Sequence, residues 1–141
     1  KARRAFICQK LESIFATVFR QVAMYRFESL MHNGRREQGE LSAEQLSAYW
    51  METQRPMFGD SLTLRQDYAL WWGYISHFLA TPGYVYSYAF GELLVLALYA
   101  RYQEEGDGFV GQYIDLLRSG GSQSPQDLLR PFAIDLNDPA F

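Results

Sequence analysis

Cysteine and histidine are nearly absent from this chain: Cys8 is the single cysteine, and His32 and His77 are the only histidines in 141 residues. One cysteine excludes an intrachain disulfide and a Cys-rich zinc site, and it suits a reducing compartment, so a cytoplasmic setting is expected. Its amphipathic neighbourhood reads Cys8 as a buried core thiol. A zinc site needs three or four closely placed His, Cys, Asp or Glu ligands. No His-Glu-x-x-His occurs here, so this chain by itself is expected to bind no metal. Glu28 and His32, four residues apart, can meet on one helix face as an ordinary helix contact.

Other absences narrow the chemistry further. No serine stands in a Gly-x-Ser-x-Gly turn, no third residue is identifiable for a triad, and no Gly-rich phosphate loop is present. The five prolines are too few for a linker-type chain. The longest apolar run, 89–100, is interrupted by Gly91 and Glu92 and falls short of the about 20 residues of a spanning helix, so no membrane segment is expected. The opening Lys-Ala-Arg-Arg-Phe-Ile-Cys-Gln lacks the uninterrupted apolar stretch and cleavage site of a signal peptide.

Positive charge is scarce after residue 36. Residues 1–36 carry a net +6 and the remainder −9, for a total of −3. The basic residues are spread around a helical pattern with Phe and Val on its other faces, so the stretch reads as a solvated helix face and no nucleic-acid partner is expected.

Aromatic residues are abundant, at 16% of the chain, with 48% apolar residues overall. That content fits one globular domain over residues 1–141, with some surface that another part of a larger protein covers, or through which the chain associates with itself. The apolar spacing is helical throughout. From about Ala2 to His32, Leu11, Ile14, Phe15, Val18, Val22 and Tyr25 form one stripe. Phe19, Ala23, Phe27 and Leu30 form a second beside it, which predicts one long helix buried on more than one side. Asn33-Gly34 is expected to end it, with a loop to Glu40. Ser42 and Gln45 form a capping box for a second helix that should stop before Pro56. Tyr68, Trp71, Trp72 and Ile75 predict a third over about Leu64 to Phe78.

Thr81-Pro82-Gly83 interrupts the pattern. Tyr84 to Glu105 then reads as a central helix, apolar almost all round in its middle. A shorter helix from Phe109 closes at Gly120-Gly121, and Ser124-Pro125 starts a last one. No strand alternation of useful length is present, so the expected fold is all-α.

The candidate site lies in His77-Phe-Leu-Ala-Thr-Pro-Gly-Tyr-Val-Tyr-Ser-Tyr-Ala-Phe-Gly91. His77, Tyr84 and Tyr88 can donate hydrogen bonds to an oxygen that gains negative charge. With the helix under way at Tyr84, Tyr84 and Tyr88 share a face while Tyr86 points elsewhere. A bend at Pro82-Gly83 lets His77 approach the same point, and Gly83 leaves room for a substrate backbone.

At these residues the chain resembles the C-terminal part of the oligoendopeptidase F and thimet-oligopeptidase-like zinc metallopeptidases. The likeness runs through Ile14-Phe15, Phe19-Arg20-Gln21, Phe27-Glu28, His32, Gly59-Asp60, Trp71 to Phe78, and Tyr84 to Gly91. It continues in Gly120-Gly121-Ser122, Ser124-Pro125, Asp135 and Asp138-Pro139. The resemblance implies a multi-helix C-terminal lobe of a larger helical, zincin-type metallopeptidase that hydrolyses short peptides.

It further implies that zinc is held in the full-length enzyme by elements preceding the matched region, so that the fragment alone is inactive and its partner is that missing part of the same polypeptide. His77 and Tyr88 match the family's donors to the carbonyl oxygen, and Tyr84 an accompanying substrate-binding tyrosine. Tyr86 and Gly83 are the remaining substrate-side candidates. The position of Gly83 is commonly bulky and aromatic in the family, so glycine here widens the adjoining subsite. The competing reading is a non-catalytic helical module whose tyrosines line a groove for a peptide or partner helix.

Overall fold

The computed structural model describes residues 2–138. Pro139, the last residue of the Asp138-Pro139 match, lies outside them. Every regular element among the described residues is helical, as the spacing predicts. Within the span read as one domain, they fall into two compact units that divide between Glu92 and Leu93.

The first unit opens with α1 (Ala2–Ile14), a π-helical turn (Phe15–Phe19) and α2 (Arg20–Gln38). These run on as one helix, longer than expected. Asn33-Gly34 does not end it. Gly34 stays helical and buried because Tyr49 lies against it: a Cβ there would come within 3.0 Å of the Tyr49 hydroxyl. The polar stretch read as a loop instead forms the last turn of α2, and Gly39, with φ 85°, closes it. Burial also departs from expectation, since α1 has no buried residue and Cys8 is exposed. Of the two stripes, the one through Ala23 and Phe27 enters the core, while Leu11, Phe15, Val22 and Tyr25 remain exposed.

α3 (Ala43–Phe58) starts at the expected capping box. Ser42 Oγ accepts from the Gln45 N–H at 3.3 Å and Gln45 Oε1 from the Ser42 N–H at 2.9 Å. It passes through Pro56 rather than stopping before it. Pro56 sits in the final turn, and Gly59 closes the helix by donating its N–H to the Arg55 carbonyl at 2.8 Å. The disruption is thus confined to a helix end.

The third helix differs in kind: Gln66–Tyr74 is a 3-10 helix, followed by the short α4 (His77–Ala80). With three residues per turn, side chains three apart eclipse. Tyr68, Trp71 and Tyr74 accordingly pile up, with ring centroids 5.2 and 6.5 Å apart.

Met24, Phe27, Trp50, Phe78 and Val85 form the core of this unit. Phe27 is fully enclosed, with its ring 5.3 Å from Trp50 and 4.9 Å from Phe78. Phe78 and Val85 lie on either side of the Thr81-Pro82-Gly83 break, so both flanks of the break are fastened to one core.

α5 (Tyr86–Glu105) carries the chain from one unit into the other. It is less enclosed than its composition predicts, because Val95 and Tyr99 are exposed while Ala89 and Leu98 are buried. In the second unit, α6 (Asp107–Ser119), α7 (Pro125–Leu129) and a 3-10 turn (Arg130–Phe132) gather Leu98, Phe109, Leu129, Phe132 and Ile134 into a separate core. The Ser124 cap forms as expected, accepting the Asp127 N–H at 3.2 Å. No helix of the described residues is long and apolar enough to cross a membrane.

Candidate active site

The break in the helical pattern is a tight turn. Pro82 and Gly83 hold its two central positions, Tyr84 donates its N–H to the Thr81 carbonyl at 3.2 Å, and Gly83 has φ 76°. Proline fixes the first central position, and positive φ at the second is what a type II turn requires, which is why glycine stands there. The Thr81 N–H bonds the His77 carbonyl at 3.0 Å, closing α4, and both the Ser87 N–H and its hydroxyl donate to the Tyr84 carbonyl, at 3.0 and 2.7 Å, opening α5. His77 and Tyr84 are thereby set on opposite arms of one hairpin-like bend.

The side chains converge across it. His77 Nε2 is 3.2 Å from the Tyr88 hydroxyl. The His77 ring lies parallel to Tyr84, with centroids 6.2 Å apart and planes at 7°, and edge-on to Tyr88 at 5.9 Å. Tyr84 and Tyr88 meet edge to face at 5.4 Å and 89°. Tyr88 is 37% and Tyr84 49% exposed, so the cluster is open to an incoming ligand. Tyr86 departs on the other side of α5 and packs on Tyr25, with centroids 6.4 Å apart. Gly83 is exposed at the bend, with nothing within 4 Å of where a Cβ would sit.

A cavity of about 800 Å3 lies in this unit between Phe15, Arg20, Met24, Trp50, Met57 and Tyr68. Burial raises the Tyr68 phenol above its ordinary value, and the Arg20 charge opposes that shift.

The sequence model of peptidase family M3 matches residues 1–141. The chain belongs to peptidase family M3. It is 34% identical over 139 residues to oligopeptidase PepF of Bacillus subtilis (strain 168), covering 99% of this chain and 21% of that protein. It is 31% identical over 131 residues to an oligoendopeptidase F homolog of Borreliella burgdorferi, covering 93% of this chain and 22% of that protein. This M3 chain thus spans about a fifth of the length of the curated relatives it matches. No solved structure matches it.

The donor set of the described residues of this M3 chain does not fit a zinc site. Among the described residues no group of three or more His, Cys, Asp and Glu is placed to hold a metal ion, and His77 faces phenols rather than carboxylates or thiols.

Glu28, which the sequence marks only as a helix-face partner of His32, has a further contact. Glu28 on α2 is buried, and its Oε1 accepts the Gly83 N–H at 2.6 Å from 55 residues away, with His32 Nε2 at 3.7 Å from the same oxygen. A signal existed: Glu28 follows Met24 by four residues and precedes Met31 by three, which puts a carboxylate on an apolar face.

Proposed function

We propose that this chain is the substrate-binding, oxyanion-stabilising part of an M3 peptidase that hydrolyses short peptides, with Tyr88 and His77 as the donors. The observation that carries the reading is the 3.2 Å approach of His77 Nε2 to the Tyr88 hydroxyl at an exposed bend. Two donors aimed at one point bind an oxygen more tightly as it turns from carbonyl to oxyanion, and that difference lowers the barrier.

Proton placement matters. When Nε2 carries its hydrogen, both the imidazole and the phenol can donate, so an oxygen facing the two receives two bonds in place of the contact they make with each other. Tyr84, stacked on His77, holds the ring plane and offers its face and hydroxyl to the substrate beside the scissile bond. Exposed Gly83 leaves a subsite open at the bend. Tyr86, turned to Tyr25, takes no part in the donor pair.

The family resemblance assigns the zinc to elements that precede the matched region, outside this chain. The chain by itself is accordingly proposed to be inactive, its partner being the zinc-bearing remainder of the polypeptide. An exposed, unpaired Cys8 agrees with work in the reducing cytoplasm.

The test is kinetic. In the full-length polypeptide, Tyr88→Phe should lower kcat by roughly 10²–10³, the scale for one oxyanion donor, with zinc content retained. An unchanged kcat removes Tyr88 from the chemistry.

A second reading, a non-catalytic binding module, is favoured by the exposure of Phe6, Leu11, Phe15, Phe19 and Val22 along the first long helix. Coding sequence upstream of Lys1 decides between the two, since a His-Glu-x-x-His there supports the peptidase and its absence supports the module. Light scattering at high concentration separately tests whether that stripe draws two copies together.

A further inference from the structure

We infer that Glu28 is a positioning residue for the Tyr88 and His77 pair, an inference that rests on the donor reading above. The buried carboxylate holds the Gly83 N–H and thereby fixes the turn that brings α4 and the start of α5 face to face.

Three observations converge on it. First, Glu28 is only 3% exposed, and a carboxylate removed from water needs strong donors to remain in place. A backbone N–H at 2.6 Å is a short bond of the charge-assisted kind. Second, the Gly83 N–H is not used inside its own turn, where the closing bond runs from Tyr84 to Thr81. It is therefore free to face α2. Third, the hydrogen bonds of the turn and its flanks are otherwise local, from Tyr84 to Thr81, Thr81 to His77 and Ser87 to Tyr84, while the flanks are anchored in the core by apolar packing of Phe78 and Val85 beside Phe27. Packing sets the depth of the two arms. It does not set the angle between them, which a single directional bond at the apex can.

Phe27 and Glu28 thus divide the work between adjacent positions. One fills the core beneath the bend, and the other ties its tip. His32, 3.7 Å from the same oxygen and partly exposed, adds a second polar neighbour on the solvent side of the carboxylate.

The consequence concerns geometry of the donors rather than their identity. His77 lies before the turn, Tyr84 and Tyr88 after it, and the 3.2 Å contact spans it. A turn released from α2 would let the arms drift by an ångström or more, and misplacement on that scale lowers a rate by about 10².

The test uses Glu28→Met, which keeps the volume and removes the acceptor, beside Glu28→Gln, whose amide oxygen can still accept the Gly83 N–H. Ring-nitrogen NMR signals of His77 in the 141-residue chain report the contact directly, with Tyr88→Phe as the reference for its loss. Glu28→Met should move those signals to the Tyr88→Phe positions while helical circular dichroism persists, and Glu28→Gln should keep them at wild-type positions. In the full-length polypeptide Glu28→Met should lower kcat about 10²-fold with KM little changed.

Wild-type His77 signals in a folded Glu28→Met chain overturn the inference, as does a Glu28→Gln chain that behaves like Glu28→Met. Should Glu28→Met not fold, replacing Gly83 with glycolic acid removes only the N–H and is read the same way. Loss of the contact in Glu28→Met with an unchanged kcat for Tyr88→Phe would leave Glu28 as the tie of the turn and overturn the donor reading alone.

Discussion

Tyr84, just ahead of α5, and Tyr88, in its first turn, meet edge to face, and both rings lie against His77 from the other side of a turn only four residues long. That compactness is set by Gly83. At φ 76° an L-residue has its Cβ against the following carbonyl, at about 1–2 kcal/mol. Restricting the unfolded chain returns about 0.4–1 kcal/mol. Gly83→Ala is therefore expected to lower stability by about 1 kcal/mol, even though no atom beyond the adjacent residues lies within 4 Å of the added methyl. A urea midpoint equal to or above wild type would show that the turn adopts another shape.

Gly34 poses the opposite case, a helical glycine kept for space. Replacing a mid-helix glycine with alanine normally gains about 0.5–1 kcal/mol. Here the methyl meets the Tyr49 hydroxyl at 3.0 Å and its ring at 3.2 Å, and the same hydroxyl is the acceptor of a bond from Gln38. Gly34→Ala should show none of the gain, whereas Gly111→Ala, in α6 with nothing within 4 Å, should show it in full. Denaturation midpoints of the two variants, compared side by side, check the contrast.

Acid sensitivity should be visible at the end of the second unit. Asp135 Oδ1 accepts the Asn137 N–H at 2.9 Å and the Gln126 amide at 2.8 Å, and these bonds hold its carboxyl below the ordinary value of 3.8. A carboxylate whose folded value is depressed stabilises the fold at pH above its unfolded value and loses that contribution as pH falls through the folded one. Asp135→Asn should flatten the fall in melting temperature below pH 3.8. An acid limb as steep as wild type would assign the loss to other groups.

Much of this fold is legible from spacing alone, because helix starts are announced by side chains that act locally. Ser42 and Gln45 accept each other's amide N–H and Ser124 accepts that of Asp127, all within their own turns, so nothing distant overrides them. Helix ends are less legible. Gly34 and Pro56 carry the signs of a stop, yet Tyr49 packing in one case and a position in the last turn in the other let the helices continue. Cys8 and the first stripe read as core, since periodicity shows that a face is apolar and not whether this chain covers it.

The same limit governs the site. His77, Tyr84 and Tyr88 lie close in sequence, but α5 begins at Tyr86 rather than at the expected Tyr84, so it is the bend at Pro82-Gly83 that brings Tyr84 to the other two, while Tyr86 turns to Tyr25. Glu28 is 55 residues from its partner. No local pattern connects them, and only an acid on the face of Met24 and Met31 marks the place.

The most direct test of the central claim is the affinity of the full-length polypeptide for a peptide in which a tetrahedral, anionic phosphinate replaces the scissile bond. If Tyr88 serves the oxyanion, Tyr88→Phe weakens binding of that analogue by roughly 10²–10³ while KM for the peptide substrate stays near wild type. Equal loss for analogue and substrate, or no loss for either, would contradict it.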